Sequence, residues 1–137
     1  MIAYISISFK KRQELAKELE AIADTLTSLD IQPFIFVDKY SFKATEDREM
    51  MNKAMAEIDK CDLLIAETSD KAIGIGIETG YAKARQKPVI YLRQKMCEHS
   101  TTMSGISDFT IVYEDLNELR QELADLLTGH FRMHYKK

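Results

Sequence analysis

The apolar run Leu63-Leu64-Ile65-Ala66 and the glycine-rich block after it constrain this chain most. Consecutive apolar residues bounded by polar ones suit a strand buried on both faces, as the strands of parallel sheets are. Just beyond it stands Gly74-Ile75-Gly76-Ile77-Glu78-Thr79-Gly80-Tyr81-Ala82, which holds three of the chain's five glycines. The block reads as a glycine-rich turn opening a helix at Ala82-Lys83-Ala84-Arg85, with Glu78 in the first helical turn. A strand, a glycine turn and a helix start bring a ligand close to backbone N–H groups. Gly74 and Gly76 are therefore candidate binding positions.

The rest of the chain repeats this alternation. Ile2 to Phe9 alternates, with Ile5, Ile7 and Phe9 on one side and Tyr4, Ser6 and Ser8 on the other. From Lys10 to Leu29, Leu15, Leu19, Ile22 and Leu26 recur at spacings of four, three and four, an amphipathic helix. Pro33 to Val37 is a short strand. Asp38 to Ala44 is a polar connection with Tyr40 and Phe42 outward. Thr45 is placed to N-cap a helix running to about Lys60 with Met51, Ala54, Met55 and Ile58 inward. Pro88 stops the helix after the glycine block, and Val89 to Leu92 is a fourth strand. A polar loop from Arg93 to Ser107 carries Ser100-Thr101-Thr102. Phe109 to Tyr113 is a fifth strand, and Asp115 with Glu118 forms a capping box for a last helix.

Strands alternating with helices predict an α/β fold with a parallel sheet. Right-handed crossovers and five strands favour a single flavodoxin-like, Rossmann-like domain of strand order 2-1-3-4-5. The domain is expected over residues 1–128, followed by a loose basic tail over 129–137. In such sheets ligands bind beyond the C-terminal strand ends where the order reverses, which juxtaposes Tyr4, Ser6 and Ser8 with Gly74–Gly80.

Bulk properties narrow the function. A chain of 137 residues suits one core. A formal net charge of -3 gives no electrostatic case for nucleic acid or an anionic membrane. No apolar run reaches the ~18 residues needed to span a bilayer, and the start Met1-Ile2-Ala3-Tyr4-Ile5 carries no basic leader. A cytoplasmic protein is the expectation. Cys61 and Cys97 lack metal spacing, and Cys61 suits a small core hydrophobe. His130 and His134, four apart near the C-terminus, suit a tail better than a metal site. No metal and no cofactor are expected.

Glu78 has three readings. It favours the positive end of a helix; it contacts a ribose; or it is a nucleophile or general base kept ionised by the helix N-terminus. The ribose reading fits poorly. A dinucleotide fingerprint is GxGxxG after the first strand with its acid about 20 residues on, whereas here GxGxxxG comes after the third strand and the acid lies inside it. Tyr4 is either a core tyrosine or the hydroxyl that orients Glu78. Ser6 and Ser8 share its face, and three polar groups on a buried strand need partners; Ser6 alternatively gives a helix room to pack. Ser100 to Thr102 either hold a phosphate or sugar or form a polar turn. No acidic pair ends the first strand, and no GxSxG elbow or Walker A motif appears.

Tyr4, Ser8, Cys61-Asp62 before the apolar strand, the Gly74–Ala82 block and Lys87-Pro88 together resemble the nucleoside 2-deoxyribosyltransferase family, including the 2′-deoxynucleoside 5′-phosphate N-hydrolases. The resemblance runs from Tyr4 to about Asp108. It implies that Glu78 is a nucleophile attacking the anomeric carbon of a deoxyribose, with Tyr4 positioning its carboxylate. It implies a phosphate-contacting role for Ser8 and a substrate contact for Thr101 through a neighbouring subunit. It also implies a small-molecule nucleoside or nucleotide substrate and a homodimer or larger homo-oligomer. Two positions depart from the family. Ala54 stands where an aspartate helps protonate the leaving base. Ala72 stands where transferases carry aspartate and hydrolases serine; Asp70, two residues earlier, is the candidate substitute. These departures favour the alternative of a non-catalytic nucleotide-binding module, and a ligand-free interaction domain would leave the polar stripe on the first strand unexplained.

Overall fold

The structure, a computed structural model, describes residues 1–129 and Phe131. The apolar run forms β3, Leu63–Glu67, buried at every position. It lies at the centre of a five-stranded sheet with β1 (Ile2–Ser6), β2 (Gln32–Ile35), β4 (Val89–Gln94) and β5 (Phe109–Tyr113). The order is β2-β1-β3-β4-β5, and every pairing is parallel. The expected α/β architecture and strand order are therefore those observed.

The helices are α1 (Ala16–Ser28), α2 (Phe36–Lys39), α3 (Asp47–Lys60), α4 (Ile73–Ala84), α5 (Thr101–Ile106) and α6 (Leu116–Thr128). Two cores form because successive strand residues point to opposite faces. One unites Ile5, Leu63, Ile65, Ile90 and Leu92 with Leu19, Ile22 and Leu26 of α1 and Leu119, Leu123 and Leu127 of α6. The other unites Tyr4, Leu64, Ala66 and Tyr91 with Ile58 of α3, Ile75 and Ala82 of α4 and Met103 of α5. Cys61 packs in this second core, and burial pushes its thiol up to about 12.

Several local expectations shift. Residues 74–80 form no turn: α4 begins at Ile73 and contains all three glycines, and none has positive φ. Glu78 is thus in the second turn of its helix. Each glycine costs the helix about 1 kcal/mol relative to alanine, a propensity that tertiary context overrides; Ile75, Thr79 and Ala82 of α4 are buried. Phe9 does not continue the β1 alternation; it opens a short 3-10 turn, Phe9–Lys11, and is 75% exposed. The second strand ends at Ile35, where α2 turns the chain. Thr45 is not the cap of α3, which starts after Glu46, whose carboxylate instead accepts from the Lys43 N–H at 2.8 Å. The polar loop contains α5, whose N-cap Ser100 accepts from the Met103 N–H.

The tail expected over 129–137 lies largely outside the described residues, as do His130 and His134. Phe131, which the structure does describe, is not loose. It is buried in the first core with its ring 6.1 Å from that of Phe109. No helix among the described residues is long and apolar enough to cross a membrane. No group of three or more potential metal ligands occurs among them.

The capping box forms as expected, with Asp115 accepting from the Glu118 N–H at 2.8 Å. Loss of such a cap costs about 1 kcal/mol. Asp115→Ala should lower the unfolding free energy by that amount, read as a lower urea midpoint at unchanged slope, and an unchanged midpoint would show that α6 is held by its leucines alone.

Candidate active site

Tyr4 and Ser6 lie two apart on β1, so their side chains share the face covered by α3 and α4. Both are buried. Glu78 projects from α4 onto this pair. The Tyr4 hydroxyl donates to one carboxylate oxygen, and the Ser6 hydroxyl donates to the other at 2.8 Å. Each carboxylate oxygen thus takes one donor. The polar stripe of β1 thereby has its partner, and the core-tyrosine and packing readings of Tyr4 and Ser6 become secondary.

Enclosure has electrostatic consequences. Burial raises the Glu78 carboxyl above its ordinary value, and the Tyr4 and Ser6 hydrogen bonds pull partly the other way. The expectation that the helix N-terminus holds Glu78 ionised is corrected. At the second turn the dipole has faded, and the two hydroxyl bonds offset the effect of burial only in part. Burial and the adjacent carboxylate push the Tyr4 phenol far above its ordinary value, so Tyr4 stays a donor.

The other expected residues are more dispersed. Ser8 is buried at the start of the 3-10 turn. Asp70 sits half-buried in the loop between β3 and α4. Gly74 and Gly76 are exposed in the first turn of α4, and a Cβ at either would meet nothing within 4 Å, so this surface is open. Thr101 is exposed at the start of α5. Its neighbours Ser100 and Thr102 line a cavity of about 340 Å³ with Thr68, Ala72 and Gly76. That cavity includes neither Glu78 nor Tyr4 nor Ser6, and its walls are mostly apolar, so we do not take it for the reaction centre. Ala54 is buried on α3 and Ala72 is the N-cap of α4, so neither gap is filled by a change of register.

Two features escaped the sequence. Glu67, at the end of β3, is fully buried. It accepts from the Tyr113 hydroxyl and from the Ser69 N–H at 2.5 Å. Ser69 Oγ in turn accepts from the Gln94 N–H at 2.9 Å. This network fixes the loop that delivers Asp70 and α4. A carboxylate closing an otherwise apolar strand was the signal. The second is Glu57, buried on the inward face of α3 one turn beyond Ala54, which accepts from the Tyr40 hydroxyl at 2.8 Å. Its spacing of three from Ala54 and four from Lys53 could have marked it.

With this geometry in view, comparison with known proteins is decisive. The model of the family described as Nucleoside 2-deoxyribosyltransferase matches residues 4–126. The chain belongs to the nucleoside 2-deoxyribosyltransferase family. A relative from Thermofilum pendens, provisionally named 2′-deoxynucleoside 5′-phosphate N-hydrolase 1, is 32% identical over 96 residues, 66% of this chain and 67% of its own. Among solved structures, the CMP N-glycosidase of Clostridium botulinum superposes with a TM-score of 0.66 at 22% identity, covering 90% of this chain and 98% of that one. A 2-deoxyribosyltransferase from Bacillus psychrosaccharolyticus gives 0.67 at 20% identity, covering 88% and 90%. These two show a shared fold. The family and these neighbours are enzymes named for making or breaking an N-glycosidic bond.

The raised Glu78 carboxyl sets a stability test. Below the ordinary glutamate range both folded and unfolded chains hold the proton, and the site carries no penalty. As pH rises through the raised folded value, ionisation of the enclosed group costs stability. Glu78→Gln, neutral throughout, should therefore raise the melting temperature at about pH 8 and leave it nearly unchanged at about pH 4. A loss of stability confined to the higher pH would show that the two hydroxyl bonds outweigh burial.

Proposed function

We propose that this protein cleaves the N-glycosidic bond of a (deoxy)nucleoside or its 5′-monophosphate, with Glu78 as nucleophile. The observation that carries the reading is the grip of Tyr4 and Ser6 on both oxygens of Glu78. A carboxylate held on both oxygens by neutral donors is oriented without a cation to quench it. The Glu78 oxygen forms a bond to the anomeric carbon as the C–N bond breaks. The bonding pair leaves on the base nitrogen, which takes up a proton. Water then adds to the anomeric carbon and loses a proton, freeing the sugar and restoring the carboxylate. Two easier displacements replace one difficult one.

Tyr4 is the positioning residue for the nucleophile, and its phenol, held protonated, donates throughout the cycle. Ser6 serves as the second orienting donor. Ser8, at the C-terminal end of β1 beside Lys10 and Lys11, is the proposed phosphate contact. Gly74 and Gly76 give the sugar access along an open helix surface. Asp70 and Thr101 are proposed substrate contacts, Thr101 from a neighbouring subunit. No metal or cofactor has a role in this reading. Hydrolysis is favoured over transfer, because no group for a second base can be named and the Thermofilum pendens relative carries a hydrolase name. A cytoplasmic location and a domain spanning 1–128 are part of the same proposal. The alternative, a nucleotide-binding module without catalysis, is favoured by Ala54 and Ala72.

The assay is incubation with a panel of deoxynucleosides and their 5′-monophosphates, with detection of free base. Base release from at least one member, lost by about a thousandfold or more in Glu78→Ala, is expected for removal of a nucleophile. Release that survives Glu78→Ala would remove the nucleophile assignment. No release from any member, with nucleotide binding retained, would favour the binding module.

We also propose a homodimer or larger assembly through the outer face of α4. Ile73 is 85% and Ile77 49% exposed there, beside Glu78. Light scattering on the eluted protein should give a multiple of the 15.8 kDa chain mass, and Ile77→Glu should return it to the monomer. A monomeric wild type would refute the assembly.

A further inference from the structure

Glu78 is not alone in answering to a tyrosine. Glu57 of α3 takes the hydroxyl of Tyr40 at 2.8 Å. Tyr40 in turn packs 5.3 Å from Phe36 and 6.1 Å from Phe42, and Phe36 stacks on Phe42 at 6.0 Å. The connection expected to leave Tyr40 and Phe42 outward therefore folds into half-buried rings braced on α3. A further pair, Glu67 with Tyr113, lies on the opposite face of the sheet from Tyr4.

Glu67 is placed to act on the nucleophile through the backbone. It ends β3, and the loop after it runs straight into α4, which carries Glu78. Each of its oxygens takes a different donor. Oε2 takes the Tyr113 hydroxyl, and Oε1 takes the Ser69 N–H at 2.5 Å. Ser69 Oγ then accepts from the Gln94 N–H at 2.9 Å. Thr68 is fastened twice to the Leu92 carbonyl, its N–H donating at 2.8 Å and its hydroxyl at 3.1 Å. The start of the loop is thus locked onto β4 and β5. Packing of Ile75 and Ala82 seats α4 in the second core, but the two oxygens of Glu78 must also meet two fixed donors on β1. That demand is on position, and a supporting shell of hydrogen bonds is what meets it.

The network needs acceptors and donors from Glu67 more than it needs charge. The Ser69 N–H only donates, so one oxygen must stay an acceptor. A phenol both donates and accepts, so the Tyr113 bond can reverse when burial, which raises the Glu67 carboxyl, puts a proton on the other oxygen. The side chains of Ser69 and Gln94 also bond the phenol and can take the turned hydroxyl. Glu18 of α1 faces Glu67 as a like charge and is itself held by Gln94 Nε2 at 3.3 Å.

We propose that Glu67 and Tyr113 are positioning residues for the nucleophile: through Ser69 they set the loop between β3 and α4, and with it the alignment of Glu78 on Tyr4 and Ser6. They do so by hydrogen-bond geometry and not by charge. The kinetic consequence rests on the N-glycosidic reading above. Displacing a reacting group by about 1 Å costs about a hundredfold in rate, and the loss falls on kcat because bound substrate makes its other contacts unchanged.

The test compares Glu67→Met, Glu67→Gln and Asp115→Ala in the full chain, each assayed well below its melting temperature. Methionine keeps the bulk and removes both acceptors. Glutamine keeps an oxygen for Ser69 and offers Tyr113 an N–H, the reversed bond. Asp115→Ala weakens the fold close to Tyr113 without touching the network. The methionine variant should lower kcat about a hundredfold at nearly unchanged KM, and the other two should keep the wild-type kcat. Wild-type turnover with methionine, an equal loss with glutamine, or a loss in Asp115→Ala would overturn the proposal. If the methionine variant does not fold, Tyr113→Phe replaces it, with about a tenfold loss of kcat expected for one hydrogen bond and wild-type turnover overturning the assignment. Should the wild type release no base, the N-glycosidic reading falls and the Glu78 carboxyl itself still decides. In protein carrying isotope-labelled glutamate, the carboxyl resonance missing from Glu78→Gln is followed against pH. A titration moved by Glu67→Met and not by Glu67→Gln supports the positioning role, and any other pattern overturns it.

Discussion

The grip of Tyr4 and Ser6 on Glu78 is the interaction on which the rest of the site depends. A carboxylate enclosed between a helix and a sheet is costly unless its oxygens are hydrogen-bonded. Here both are, by neutral donors that supply geometry without neutralising charge. The clamp also ties α4 to β1 through Tyr4 and Glu78, which are 74 residues apart in sequence. Any shift in the packing of α4 on the sheet would separate the oxygens from their donors. The second core, of which Tyr4, Ile75 and Ala82 are members, therefore holds the candidate chemistry as well as the fold.

The opposite face of the sheet carries a counterpart that clarifies the first. Glu67 also accepts from a tyrosine hydroxyl, that of Tyr113, and burial also raises its carboxyl. Yet it is fully enclosed and its second oxygen is used by the backbone of Ser69. It holds a loop and has no access to a ligand. Glu78 shares the chemistry but stands beside open helix surface at Gly74 and Gly76. Access, more than protonation, separates a structural carboxylate from a candidate nucleophile in this molecule.

Much of this was legible beforehand. The continuous apolar run of β3 and the alternation of strand and helix patterns allow few topologies once crossovers are right-handed, and the observed strand order is the expected one. Tyr4, Ser6 and Glu78 were also legible, because polar residues on a buried strand face demand partners and the strand-order reversal says where those partners lie. The glycine block was misread because glycine spacing cannot distinguish a turn from a helix whose outer surface is open. The aromatic connection was misread because Tyr40 and Phe42 lie among polar residues, and what gathers them, Phe36 at the end of β2 and Glu57 on α3, is distant in sequence.

The sequence by itself determined the layers, the strand order and which face of β1 must be polar, since these follow from periodicity and handedness, which are local properties. Only the tertiary structure decided that Glu78 sits in a second helical turn with its carboxyl raised by burial. It also decided that Glu67 and Glu57 are internal and that a polar connection folds into a stack of rings. Those are matters of distance and desolvation between segments remote along the chain, and neither quantity exists until the segments are brought together.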